Sequence, residues 1–208
     1  MIKSLKCLLL ALALGGCAMV HEEEKLPPQP TAQGVELIKQ QGGRFIAFVG
    51  PRRQHTEPFL GVPDTNFFVL RSWLDNKTNE TAHQLYVEDS YYGGPLNWDG
   101  VHDVDNKPLT FRPISRNEIS CEQGCAYADE FAASLPEDYL RAHKNGLAVT
   151  FTSSNGKIFP VTVPAELVVM QLNALDSVRS TIATAANTTS PAPPATTATP
   201  PGPNTPTR

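Results

Sequence analysis

The chain has little that would let it cross a bilayer as a helix. Its N-terminal apolar run, Cys7 to Leu14, is only eight residues long, and a spanning helix needs about 20. It lacks any long run of basic residues. Without the first 16 residues, which hold Lys3 and Lys6, it carries 15 basic and 21 acidic side chains, a net charge of −6. That balance argues against nucleic acid as a partner. Cysteine is scarce, with four in 208 residues. The motifs that announce catalysis are absent too: there is no GxSxG elbow, no HExxH and no phosphate-binding P-loop, and no cofactor motif. Adjacent acids such as Glu88-Asp89 and Glu137-Asp138 point to opposite sides of a strand or helix, and each pair is expected to be solvated. These absences leave a non-enzymatic module as the leading expectation.

Lys3 and Lys6, the eight-residue apolar run and the small residues after it form a secretory signal pattern. Leu14-Gly15-Gly16-Cys17 then resembles the lipobox of bacterial lipoproteins. The resemblance covers residues 1–20 only, and Gly at the second lipobox position is a departure from the commoner Ala or Ser. It implies cleavage before Cys17, a diacylglyceryl thioether on that cysteine and a further acyl chain, such as palmitate, on its amino group. Each buried methylene adds about 0.8 kcal/mol, so two or three chains hold a domain to a membrane permanently. Ala18, rather than Asp, implies sorting to the outer membrane, facing the periplasm. The rest of the chain resembles no named family.

Cys7 leaves with the signal and Cys17 is the lipid site, which leaves Cys121 and Cys125 in SCEQGC. In an exported chain such a pair is expected to bridge. A thioredoxin-type redox pair is CxxC rather than CxxxC, and a zinc site needs further ligands at matching spacing.

The organisation follows from composition. Residues 1–16 are the signal and 17–33 a polar, Pro-rich tether reaching roughly 20–25 Å. Residues 34–180 form one globular domain of about 145 residues, enough for a real core. Residues 181–208 make a Thr/Pro/Ala-rich tail expected to be disordered: from Thr184 onward, 20 of 25 residues are Thr, Pro or Ala.

Strand signals dominate the domain: Arg44–Val49, Asn66–Asp75, His83–Glu88 and Leu109–Ile114. Pro113 favours an edge for the last of these. In LAVTFTSSNGKIFPVTV a three-residue loop, Ser154-Asn155-Gly156, sets Phe151 opposite Phe159, Val149 opposite Val161 and Leu147 opposite Val163. A two-residue turn would break up that apolar face, so burial selects the first register. Ser134-Leu-Pro-Glu137 reads as a capping box for a short helix to about Asn145. Pro164 opens a second helix with Val168, Leu172 and Leu175 on one face. The expected fold is an antiparallel β-sandwich, with the immunoglobulin type as one arrangement, a short helix before the C-terminal hairpin and a capping helix after it.

Two clusters carry chemistry. Tyr91, Tyr92 and Trp98 flank Gly93-Gly94-Pro95; aromatics beside such a loop stack on sugars or on a partner's side chains, or anchor a turn to the core. Asp99, His102, Asp103 and Asp105 have the donor chemistry of a cation site, although the spacing is not that of an EF-hand. The alternative there is a polar strand leading into a turn at Asp105-Asn106. Arg52, Arg53 and His55 form a small basic loop. The expected partners are a membrane, through lipidated Cys17, and another envelope protein or the cell wall. A small ligand or glycan held by Tyr91, Tyr92 and Trp98 is the alternative, and a hydrolase is the third reading.

The lipid anchor yields a direct test. Replacing Cys17 with Ser is expected to block processing and to release the protein from the membrane fraction of intact cells. A variant still processed and still sedimenting with membranes rules the anchor out.

Overall fold

The computed structural model describes residues 29–30, 34–39, 42–122 and 124–188. The lipobox with Cys17, most of the tether and the end of the tail lie outside these residues. Among the described residues no helix is long and apolar enough to cross a membrane.

The strands are β1 (Gln29–Pro30), β2 (Glu36–Lys39), β3 (Phe45–Val49), β4 (Arg53–Gln54), β5 (Phe67–Asp75), β6 (Thr81–Tyr92), β7 (Trp98–Asp103), β8 (Thr110–Ser120), β9 (Ala126–Leu135), β10 (Leu147–Ser153) and β11 (Ile158–Val163). Helix α1 (Glu137–Ala142) precedes β10, and α2 (Ala165–Thr188) follows β11. One antiparallel sheet runs β1-β2-β3-β5-β6-β9-β8, with β4 paired to β5. A second runs β11-β10-β7. The fold is an antiparallel β-sandwich with a capping C-terminal helix.

The two sheets close over one core. Phe68 and Leu70 of β5, Leu85 and Val87 of β6, and Phe131, Ala133 and Leu135 of β9 face inward. Against them pack Val101, Leu147, Val149, Phe151, Val161 and Val163 of the smaller sheet. Phe131 meets Phe151 edge-on at 4.9 Å between ring centres and lies 5.4 Å from Trp98. Where the small sheet stops, α2 takes over: Val168 and Leu172 complete this core, while Ala174 and Leu175 cover Ile46, Phe48 and Leu74.

The hairpin adopts the register that burial selects, with Leu147 opposite Val163, Val149 opposite Val161 and Phe151 opposite Phe159. Gly156 sits at φ +82°, the left-handed conformation that a three-residue loop needs. Val168, Leu172 and Leu175 are all buried. Pro113 lies in β8, at the edge of the larger sheet, beside a shift in register between Pro113 and Ser115. Both features blunt an edge that would otherwise pair with another chain. Cys121 and Cys125 are joined across the tip of the β8–β9 hairpin.

Some expectations are corrected. Ser134 does not cap α1. It belongs to β9, and α1 starts after Pro136 with no side-chain cap. The helix ends at Ala142, earlier than expected. Helix α2 runs 24 residues, about 36 Å, and reaches Thr188, within the stretch whose composition reads as tail.

Glu137 has a different task. Its carboxylate accepts hydrogen bonds from Arg179 Nη1 (2.6 Å) and Nη2 (2.9 Å) on α2, from Arg141 Nε (2.8 Å) on α1 and from the Thr81 hydroxyl on β6. These donors, Arg179 first, hold its carboxyl well below the usual carboxylate range. One carboxylate thus ties both helices to the larger sheet. The Glu137→Gln variant is expected to lose about 1–3 kcal/mol of stability, because two guanidinium groups lose their shared counter-charge. The depressed folded-state value means that this contribution is present above the unfolded carboxylate value and fades as pH falls through the folded one. Urea denaturation of wild type and variant at pH 7 checks the magnitude.

Candidate functional site

The alternation of β6 that buries Leu85 and Val87 also turns Asp89 and Tyr91 to the inner face. On β9 it does the same for Asp129 and Tyr127. The sheet register pairs Asp89 with Asp129 and Tyr91 with Tyr127. These residues lie just beyond the edge of the small sheet, where Trp98 opens β7. Two clefts flank Trp98. One, of about 410 Å³, is lined by Asn97, Phe111, Ile114, Arg116, Asp129 and Phe131 among others. The other, of about 520 Å³, is lined by Asp89, Tyr91, Tyr92, Trp98, Lys157 and Phe159 among others.

The three aromatic residues of the loop do come together here, in three different roles. The Tyr91 hydroxyl donates to Asp129 Oδ2 (2.9 Å) and accepts from the Leu96 amide (3.1 Å), so it locks the loop. Burial raises its ionisation to about 12. Trp98 packs on Phe131 and Phe159. Its Nε1 is buried without a hydrogen-bond partner among the described residues. Tyr92 is 61% exposed and leans on Phe59, 5.0 Å between centroids. It is the ring that meets solvent.

Three acids sit at this end of the two strands, Asp89 and Asp129 on the inner face and Glu88 on the outer one, and they differ in what they hold. Asp129 accepts two hydrogen bonds from Arg116, from Nε at 2.6 Å and Nη2 at 3.0 Å, besides that of Tyr91. Glu88 accepts the Asn66 amide and the Ser90 hydroxyl. Asp89 accepts no hydrogen bond among the described residues, yet it is only 8% exposed. Burial first, then the charges of Glu88 and Asp129, push its carboxyl up to about 7. The expectation that Glu88-Asp89 is solvated is therefore overturned. The two side chains do point apart, but both faces of β6 are covered at this point.

The other expected clusters are placed differently. Asp103 Oδ1 accepts the amides of Asp105 and Lys107, both at 2.9 Å, and His102 Nδ1 bonds the Asp103 carbonyl (2.9 Å). Asp99 faces the smaller cleft. The stretch is a strand and turn, and among the described residues no three such side chains are placed to hold a metal ion. Arg52 pairs with Asp64 at 3.1 Å and lies over the Phe67 ring. His55 turns inward to the Glu88 carbonyl (2.9 Å) and the edge of Phe159, and burial lowers its basicity.

One constellation escapes sequence reading. Ser72 Oγ lies 2.7 Å from His83 Nδ1, and His83 Nε2 lies 3.9 Å from Glu137 Oε2. Serine, histidine and glutamate in line have the composition of a hydrolytic triad. Ser72, however, has no exposed surface and accepts a hydrogen bond from Gln171 Nε2 (2.8 Å) under α2. No substrate reaches that hydroxyl. The chain Gln171–Ser72–His83 pairs the buried Ser72 hydroxyl and His83 Nδ1 between the sheet and α2, while His83 Nε2 and Gln171 Oε1 find no hydrogen-bond partner among the described residues.

No family model, curated protein or solved structure matches the chain.

The raised Asp89 value has a sign that can be measured. Between the unfolded carboxylate value near 4 and the folded value near 7, the folded state holds a proton that the unfolded state has lost. Stability from this group is therefore full at low pH and falls as pH rises through that window. Asp89→Asn is expected to remove this dependence and to be more stable than wild type at pH 8, by on the order of 2–4 kcal/mol. Urea denaturation of both proteins at pH 5 and pH 8 gives the difference.

Proposed function

We propose that the chain is a lipid-anchored lipoprotein of the bacterial envelope, held by Cys17 at the outer membrane and facing the periplasm, whose domain works by binding rather than by catalysis. Its partner is another envelope protein or the cell wall. The observation that supports this reading most is the apolar rim around Trp98. Tyr92 (61% exposed), Ile158 (71%) and Ile114 (43%) stand around the two clefts. Exposed apolar side chains gathered around concave surface mark a place where something docks.

A second reading, a small ligand held beside Tyr91, Tyr92 and Trp98, is favoured by Asp89. A buried carboxylate that accepts nothing from the protein is costly unless a ligand supplies the donor.

Photo-crosslinking in intact cells tests the first reading. A photoreactive residue at Tyr92 or Ile158 is expected to capture a partner that the same probe at Val104, exposed at the other end of β7, does not. Crosslinks only between copies of this chain, or equal capture from Val104, sink it.

A further inference from the structure

We propose that the larger cleft beside Trp98 receives an alkylammonium group, with Asp89 as its counter-charge and Tyr92, Trp98 and Phe159 as its walls. This rests on the ligand-binding reading above and names the chemistry that the ligand must carry.

The first support is the state of Asp89. It is more than nine-tenths buried, lines the cleft and accepts no hydrogen bond among the described residues. Its two acidic neighbours are both served by donors, as shown above. Such an acceptor calls for a donor from outside.

The second support is charge. On the face of Asp89 lie Asp129 across on β9 and Arg116 beyond that on β8, while Glu88, beside it on β6, turns its side chain to the opposite face. Arg116 is committed to Asp129 through two hydrogen bonds. His55 sits behind Phe159 with its basicity lowered by burial, so it adds no charge at neutral pH. Tyr91 is a neutral phenol. Lys157 lines the cleft at its exposed rim and forms no ion pair among the described residues. Asp89 and Asp129 thus share this face with one guanidinium, which is committed to Asp129, and with Lys157 at the exposed rim. A neutral hydroxyl would satisfy the hydrogen bond and leave the charge, whereas an ammonium group satisfies both. The third support is the wall: aromatic faces attract a cation, tryptophan most strongly.

A cation that needs the carboxylate must compete with its proton. Asp89 titrates near 7, and an alkylammonium stays charged to about pH 10. Binding is therefore expected to weaken about tenfold between pH 8 and pH 6, while the ligand's own charge does not change.

The test is a residue-resolved NMR titration of the full chain with pentylammonium chloride, with pentanol as the uncharged analogue and a lysine-containing tetrapeptide as the second source of the same group. Pentylammonium is expected to shift the Asp89 amide and the Trp98 indole, at least tenfold more tightly than pentanol, and at least tenfold more weakly in the Asp89→Asn variant. That variant is expected to fold, since it removes a buried unpaired acid. Tighter binding of the tetrapeptide assigns a protein source of the amine, and tighter binding of pentylammonium a small-molecule source; both support the site. Pentanol binding as well as pentylammonium overturns the ammonium assignment but keeps the ligand-binding reading. No shift with any of the three at 20 mM, or binding unchanged in the Asp89→Asn variant, overturns the site.

Discussion

The pairing of β6 with β9 constrains everything else in this domain. Ten residue pairs, from His83–Leu135 to Tyr92–Ala126, fix these two strands to each other. A strand alternates faces with a period of two, so a slip of one residue would move either Leu85 and Val87 of β6 or Phe131 and Ala133 of β9 out of the core. That cost locks the register. Once it is locked, Asp89 and Asp129 have no choice of face. They must point the same way as Val87 and Phe131, next to each other, at the end of the core where the small sheet no longer reaches. The acidic end of the sandwich is thus imposed by apolar burial elsewhere along the same strands.

What could be read in advance divides along physical lines. The β10–β11 hairpin was legible because its apolar residues alternate on both sides of a loop with Gly156, and only one register buries them together. Helix α2 was legible through Val168, Leu172 and Leu175. Strand β9 was not. AYADEFAASL is rich in alanine and acids, which have little preference for strands, and the strand forms because β6 and β8 hold it on both sides. The same blindness explains Ser134: its spacing to Glu137 imitates a helix cap, but it was already spent in β9. Glu88 and Asp89 show a further limit. Adjacency told correctly that they point apart. It carried no information on whether each face is covered, and the 55–66 segment covers the outer one through Asn66. The Tyr91, Tyr92 and Trp98 cluster was legible as a group but not in its roles, because only the fold decides which ring locks, which packs and which meets solvent.

Two polar networks in the domain show how differently buried charge can be handled. Glu137 is surrounded by donors from three elements, and its ionised form is strongly favoured. The basicity of His83, linked to Gln171 through Ser72, is lowered by burial, and only its Nδ1 finds a hydrogen-bond partner among the described residues. Both serve the seam between the sheet and the helices. Asp89 follows neither pattern. Arg116 could serve only one of the two paired acids at full strength, and its two-pronged contact goes to Asp129, which Tyr91 also holds. The consequence is an asymmetric pair: one carboxylate held by three hydrogen bonds, its neighbour without a hydrogen-bond donor among the described residues. An evolved core rarely keeps such a group when asparagine or an apolar residue of similar volume would relieve it. Its position next to open aromatic surface is an argument for use rather than for stability.

The layout of the sheet bears on how such a site meets a partner. The described chain enters through β1 and β2 at one edge, where Val35 is buried beneath α2, and the later turns of α2 return to the same side through Val178 and Ile182. Strand β8, which carries Arg116, is the opposite edge. Five strand-to-strand steps separate β2 from β8, about 24 Å at the usual spacing. Both segments that lead toward the termini therefore leave from the side away from Trp98. The disulfide then has a mechanical meaning: it closes the tip of the β8–β9 hairpin, on the strands that place Arg116 and Asp129. The Gly93 amide also bonds the Cys125 carbonyl (2.9 Å). The same clamp therefore supports both the aromatic loop and the strands that carry the acidic floor.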